Sequence, residues 1–254
     1  MKKTLTVLAV ISAAAAALSS CSQAVRTETM EVSEKFALAD GRTDSLDLYI
    51  SAEYPVSGLR KSAGLKISAA LTGYLFGEEY IGMEPDAAVG AYMDDRLQEY
   101  REENLPMLEI SGLDGGAALS WTEYVSGTEV SMRDRILSYR TEKYAFRGGA
   151  HGMTTITAYN FNTRTGEELH EPDIFREGYA GPLTEMLTAH LSESLEDPAD
   201  TSMMFLKKIE PNGNFLLSEK GITYIFNHYE IAPYSMGVIN ITLPWDEVSA
   251  IMKK

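Results

Sequence analysis

Residues 148–152, Gly-Gly-Ala-His-Gly, are the part of this sequence in which residue types and spacing most favour a functional site. Three glycines surround His151, so the backbone can bend or bulge there as other residues could not. Tyr144 and Arg147 lie just upstream, and aromatic and arginine side chains are typical of contact hot spots. The segment predicts either a surface that binds a ligand or partner, or a structural bulge whose histidine hydrogen-bonds to the backbone.

A second aromatic segment lies near the C-terminus, where Tyr229 and Tyr234 follow a strand pattern. We expect these tyrosines, together with Tyr144, Arg147 and His151, to contribute to a binding surface. The same side chains would equally suit a buried strand connection, with Pro233 ending the preceding strand pairing.

Motifs for the common catalytic and metal sites are absent from the sequence. No Gly-x-Ser-x-Gly, His-Glu-x-x-His or phosphate-binding glycine loop occurs. Glu168, His170 and Asp173 form a metal-like cluster, but a second nearby histidine is lacking. His190 lies on the apolar stripe of a predicted helix, where a buried or boundary histidine is expected. The sequence therefore predicts no catalytic residue, metal or cofactor.

Two alternatives to a binding module remain open. A cell-wall or glycan hydrolase could use His151 with a carboxylate that folding brings close from a distant segment, because one sequence does not reveal such assembled sites. A plain envelope spacer without a specific ligand would instead have neither a concave site nor an aromatic patch.

The elements that must position these segments are predicted by hydrophobic periodicity. Alternation around residues 30–32 and 46–50 predicts two half-buried strands. Apolar residues at helical spacing predict amphipathic helices over residues 59–75 and from Pro85 to a stop before Pro106.

Strand patterns dominate the rest of the chain. Residues 117–161 predict an antiparallel meander, and residues 183–195 predict a helix that covers the sheet. Strands are expected at 222–226 and 239–243, with a short helix beginning near Pro244. Runs of strands and of helices without regular alternation predict an α+β fold, an antiparallel sheet with helices packed on it. We expect two halves, residues 28–155 and 156–254, in one compact unit.

The N-terminus has the three parts of a secretory signal over residues 1–20. Leu18-Ser19-Ser20-Cys21 resembles a bacterial lipoprotein lipobox, in which the cysteine becomes the acylated N-terminus after cleavage. Several acyl chains on Cys21 would anchor residues 21–27, a short tether, stably to a membrane. Cys21 is the only cysteine, so disulfides and cysteine-ligated zinc are not expected in the folded part.

The charge of the chain limits its partners. The full chain has a formal net charge of −15, and loss of Lys2 and Lys3 leaves 20 basic against 37 acidic residues, or −17. Nucleic acid is therefore an unexpected partner. A field of this sign favours encounters with cationic partners, although an acidic surface can also serve solubility alone.

Three motifs together resemble the RsiV-like envelope module. They are residues 144–152 (YAFRGGAHG), residues 159–161 (YNF) with Thr165-Gly166, and residues 224–234 (YIFNHYEIAPY) with Gly237. This family, a domain of unknown function, occurs in the extracellular part of RsiV-type anti-sigma factors and beside the catalytic domain of PdaC-type peptidoglycan deacetylases. The first half of this chain resembles the PdaC-like part and the second half the RsiV-like part.

The resemblance implies an exported α+β module and does not imply catalysis. It implies binding to a cell-wall glycan or to a basic wall hydrolase such as lysozyme. The deacetylase domain is absent, and Cys21 stands where the anti-sigma factors have a spanning helix. We therefore expect a membrane-anchored lipoprotein of the cell envelope, facing the periplasm or exposed at the surface.

Overall fold

The structure, a computed structural model, describes residues 25–108 and 119–253. The predicted signal segment and Cys21 lie outside the described residues. No helix within the described ranges is long and apolar enough to span a membrane.

The described residues contain strands and helices in both parts of the chain. The strands are β1 (Arg26–Ala37), β2 (Ser45–Ser57), β3 (Trp121–Arg133), β4 (Ile136–Phe146), β5 (Met153–Asn162), β6 (Phe215–Leu217), β7 (Gly221–Phe226) and β8 (Ile239–Pro244). The α-helices are α1 (Lys61–Phe76), α2 (Pro85–Leu108), α3 (Glu171–Ile174), α4 (Ala180–His190) and α5 (Trp245–Val248).

A five-stranded sheet follows the chain order β1-β2-β3-β4-β5. β1 and β2 pair antiparallel, whereas β2 and β3 pair parallel, with Tyr49 opposite Tyr124. The α+β class is confirmed, but the sheet is mixed rather than wholly antiparallel as predicted. The reason is the long connection through α1 and α2, which returns the chain to the same end of the sheet and so permits parallel neighbours.

The inner face of β2 is built by strict alternation. Leu46, Leu48 and Ile50 are buried, while Tyr49 between them is exposed. α1 and α2 pack on β2, and α1 buries Ile67 and other apolar residues at helical spacing against the core. The helices cover one face of this sheet, and Tyr49 lies on the opposite face.

Two helix predictions differ from the structure at an end. The helix predicted over residues 183–195 is α4, which ends at His190. α1 lies where residues 59–75 predicted it, and α2 begins at Pro85 as expected. The prediction that α2 stops before Pro106 is wrong, because the helix continues to Leu108. Pro106 is exposed and lies in the last turn, so water can hydrogen-bond the carbonyl that the missing N–H leaves unpaired.

The C-terminal part has its own sheet, in the order β6-β7-β8, with antiparallel pairing throughout. The predictions of strands at 222–226 and 239–243 are confirmed. α4 packs on β8, and its residues Leu183 and Leu187 are fully buried with Tyr224 and Ile241.

The chain divides into two compact units whose boundaries cut the long strands. Unit 1 extends to Gly127 and takes in Glu142–Met153. Unit 2 comprises Thr128–Thr141 and Thr154–Lys254. The two candidate segments fall in different units, so each is described by itself.

Candidate functional site

Arg147, directly after β4, belongs to a charge network in unit 1. Its Nη2 atom lies 2.9 Å from Glu123 Oε1, and its Nη1 atom lies 2.8 Å from Glu99 Oε1. The guanidinium also lies 4.6 Å from the centre of the Trp121 ring. Glu123 is only 3% exposed, so an uncompensated charge there would be strongly unfavourable. Arg147 therefore has a structural role, and its role in binding stays a prediction.

Tyr144 lies in a row of three tyrosines on adjacent strands. The rings of Tyr49 and Tyr124 stack with centroids 4.6 Å apart and an interplanar angle of 9°. Tyr144 meets Tyr124 edge-on, at 5.6 Å and 63°. Cross-strand aromatic pairs of this kind stabilise a sheet.

Gly152 makes room for this row. A Cβ atom at position 152 would overlap the end of the Tyr144 ring. The glycine at this position thus has a packing reason, because a Cβ atom would require the end of the Tyr144 ring to shift.

His151 is exposed on the loop between β4 and β5. Its Nδ1 atom lies 3.0 Å from the carbonyl oxygen of the neighbouring Gly152. A backbone contact of this kind was the expectation under the structural alternative. Participation of His151 in binding, or in hydrolysis, stays a prediction.

Tyr229 and Tyr234 form an aromatic cluster after β7 in unit 2. Their ring centroids lie 5.8 Å apart, and His228 stacks on Tyr234 at 4.3 Å and 19°. Tyr229 is 51% exposed and has φ of 67°, in the left-handed region. That conformation is uncommon for a bulky residue and is energetically unfavourable.

The backbone around Tyr229 is held by side chains. The Asn227 Oδ1 atom accepts a hydrogen bond of 2.7 Å from Ile156 N, and its Nδ2 atom donates one of 2.9 Å to Ile156 O. Asn227 thus pairs with β5 as a strand residue would. Glu230, one residue beyond Tyr229, accepts a hydrogen bond of 3.0 Å from Asn212. These contacts pre-organise the loop that presents the Tyr229 ring.

Glu168, His170 and Asp173, the metal-like cluster of the sequence, make contacts at the start of α3. Asp173 Oδ2 accepts a 2.9 Å hydrogen bond from the His170 backbone at the start of α3, and His170 Nδ1 lies 3.9 Å from Glu168 Oε1. Across residues 25–108 and 119–253, no group of three potential ligands is arranged to hold a metal ion. His190 is half-buried, with its Nε2 atom 2.9 Å from Glu247, which matches the expected boundary position.

A cleft of about 840 Å³ beside α4 was not foreseen from the sequence. At its edge, Glu171 accepts hydrogen bonds from Tyr179 at 2.9 Å, from Tyr224 at 3.0 Å and from Gly213 N at 3.0 Å. Burial, and then the Glu171 carboxylate, raise the pKa of Tyr224 well above its usual range. The partners lie 8 to 53 residues from Glu171 in sequence, so no local motif could have revealed the group.

One protein family matches part of the chain. Residues 172–246 match the family described as "Protein of unknown function (DUF3298)". No curated protein sequence matches the chain.

Two solved structures are similar over most of the chain. A DUF3298 family member from Bacteroides fragilis NCTC 9343 is 27% identical, with a TM-score of 0.82, covering 92% of this chain and 95% of that one. A DUF3298 family protein from Pseudomonas aeruginosa PAO1 is 18% identical, with a TM-score of 0.64, covering 91% and 96%, and it supports the fold alone. Residues 172–246 thus match a DUF3298 domain of unknown function, in a chain similar along its length to solved proteins of that family.

Proposed function

We propose that this chain is a lipid-anchored protein of the cell envelope whose folded part is a non-catalytic, RsiV-like and PdaC-like binding module. The anchor is supported by the lipobox-like sequence that ends at Cys21. The module is supported by the DUF3298 match and by the three motifs that resemble the RsiV-like family. Its ligand is a protein partner or a cell-wall component.

The strained backbone and the exposure of Tyr229 are the observation that supports a binding role. A bulky side chain in the left-handed region is disfavoured by roughly 1–2 kcal/mol, and glycine or asparagine would suit the backbone better. About half of the residue's surface is exposed, so burial of Tyr229 offsets little of this cost. Strained residues held by their surroundings cluster at functional sites, and exposed tyrosines are typical of interface hot spots.

Charge indicates the kind of partner. With a net charge of −15, the chain attracts basic proteins, and Glu230 beside Tyr229 is exposed. Electrostatic complementarity raises association rates more than final affinity. A basic wall hydrolase such as lysozyme is therefore one candidate partner, and a wall glycan is the other.

The test is a binding measurement with the full-length protein in detergent, against lysozyme and against soluble wall fragments. Tyr229→Ala should weaken binding at least tenfold, because truncation of a hot-spot aromatic residue costs about 2 kcal/mol or more of binding free energy. Leu65→Ala is the control, because Leu65 is a large exposed apolar residue on the regular helix α1.

Salt and turnover complete the experiment. Raised ionic strength should slow association if charge steers the encounter. If the wild type and a natively folded Tyr229→Ala variant, checked by circular dichroism, bind equally well, Tyr229 is not part of the binding site. Glycan turnover that disappears in His151→Ala would replace the binding module with the hydrolase alternative.

A further inference from the structure

We propose that residues 203–208 of unit 2, Met-Met-Phe-Leu-Lys-Lys, dock on an anionic lipid surface. Met203, Phe205 and Leu206 are 41%, 56% and 48% exposed. Single exposed apolar residues are ordinary, but three within four positions of the chain favour an interaction surface. This inference does not depend on the Tyr229 cluster or on the proposed acylation of Cys21.

The segment is held in place with its apolar side chains outward. Met204 packs against the core of unit 2, and Ile209 just beyond the segment is fully buried. The Phe205 backbone N–H donates a 2.9 Å hydrogen bond to Ile231 O. With both ends and the middle of the segment fixed, Phe205 and Leu206 cannot turn into the core without breaking these contacts.

The charges next to the patch select the occupant. Lys207 and Lys208 are both exposed and adjacent in a chain whose net charge is −15. Lysine stems can lie along apolar surface while the ammonium groups stay at the level of polar headgroups. Each lysine near an anionic leaflet strengthens attraction by roughly fivefold. Phe205 and Leu206 would enter the interface, and the two lysines would contact lipid phosphates.

Two carboxylates lie close to the patch. Glu210 and Glu230 line the same groove as Leu206 and Lys208, and both are exposed. The preference for an anionic surface therefore rests on Lys207 and Lys208 reaching the headgroups ahead of these carboxylates, and neutral and anionic lipids must be compared directly.

The experiment places a fluorescent probe in the patch of the full-length chain. In a Cys21→Ser background, Leu206→Cys offers a single labelling site, since the sequence has no other cysteine. We expect the probe to move to an apolar environment with phosphatidylglycerol vesicles, and brominated acyl chains should quench it. Neutral phosphatidylcholine vesicles should give a much weaker response, and an equal response would overturn the anionic selectivity. A probe at Glu219→Cys, an exposed turn of the same unit, should respond to neither. This local readout separates the patch from any membrane binding by the N-terminal segment.

Charge reversal supplies the matched control. Lys207→Glu with Lys208→Glu should lower the apparent vesicle affinity reported by the Leu206 probe by about thirtyfold or more. Lys220→Glu with Lys253→Glu makes the same change in net charge at exposed positions elsewhere and should have little effect. An unchanged probe signal with anionic vesicles would overturn the proposal. A vesicle-independent signal that disappears on dilution, together with a dimer in sedimentation, would assign the patch to a second copy of the chain and also overturn it.

Discussion

Replacement of Gly152 by alanine should destabilise unit 1 through one specific overlap, between the new Cβ atom and the Tyr144 ring. Gly152 is not among the residues with positive φ, so alanine has no backbone conflict there. The ring must therefore move away from its edge contact with Tyr124. Overpacking of this kind typically costs about 1–3 kcal/mol, and loss of the aromatic pair adds about 0.5–1.5 kcal/mol. We expect a total in the lower part of the summed range of about 1.5–4.5 kcal/mol, because the atoms in conflict are the far end of a side chain that can shift.

A double-mutant cycle isolates this cause. In a Tyr144→Ala background the ring is gone, so Gly152→Ala should be neutral or stabilise by up to about 1 kcal/mol through a less flexible unfolded chain. Urea unfolding followed by circular dichroism measures each free energy of unfolding, provided that the m-value is unchanged. Gly90→Ala in α2, where a Cβ atom meets nothing within 4 Å, should stabilise by roughly 0.5–1 kcal/mol.

Two results would refute this explanation of Gly152. If Gly152→Ala costs less than about 0.5 kcal/mol, the ring tolerates the Cβ atom and the packing explanation for the glycine is wrong. If it costs the same with and without the Tyr144 ring, the conflict lies with another group.

Three further predictions concern single residues. Arg147→Ala should cost about 2 kcal/mol in urea unfolding, because among the described residues Glu123 would keep only the more distant Arg96, at 3.8 Å, as a cationic partner. A loss below about 0.5 kcal/mol would show that the network is not stabilising. Gly221→Ala should cost more than about 3 kcal/mol and reduce soluble yield. The φ angle of Gly221 is 158°, and an added Cβ atom would overlap the carbonyl oxygen of Leu243 in β8, a backbone group that cannot rotate away. Near-native stability of the variant would refute this. Burial raises the pKa of Tyr54 to about 12 from 10.0, so the folded state keeps a proton that the unfolded chain loses. Stability should be full below pH 10 and fall by roughly 2–3 kcal/mol by pH 12, and Tyr54→Phe should remove this part of the alkaline loss, as equilibrium unfolding at each pH would measure.

Local patterns in the sequence were sufficient for much of the fold. Helical spacing located α1 and the start of α2, and alternation located β7 and β8, because each pattern needs only one buried face. The parallel pairing of β2 with β3 was beyond these patterns, since alternation states which face is buried and not which strand lies alongside. Pro106 shows the converse error: a strong local stop signal is overridden when the residue is exposed in the last turn.

The candidate site residues also differ in how far the sequence alone could identify their roles. Residues 144–152 were recognisable because their unusual types are contiguous in the chain. Arg147 could not be assigned to a network in advance, as its partners Glu123 and Glu99 are 24 and 48 residues away. The exposure of the apolar residues in the 203–208 segment was equally hidden, because it depends on which neighbours are fixed in the core.

By itself the sequence determined the α+β class, the acidic charge, the contiguous glycine-histidine and tyrosine motifs and the lipobox-like residues that end at Cys21, since all of these are properties of composition or of short spacing. The tertiary structure alone decided that Gly152 makes room for Tyr144, that Arg147 neutralises a buried carboxylate and that Tyr229 is held exposed on a left-handed backbone. These depend on distances between residues far apart in the chain and on backbone angles, which the packing of the whole unit determines.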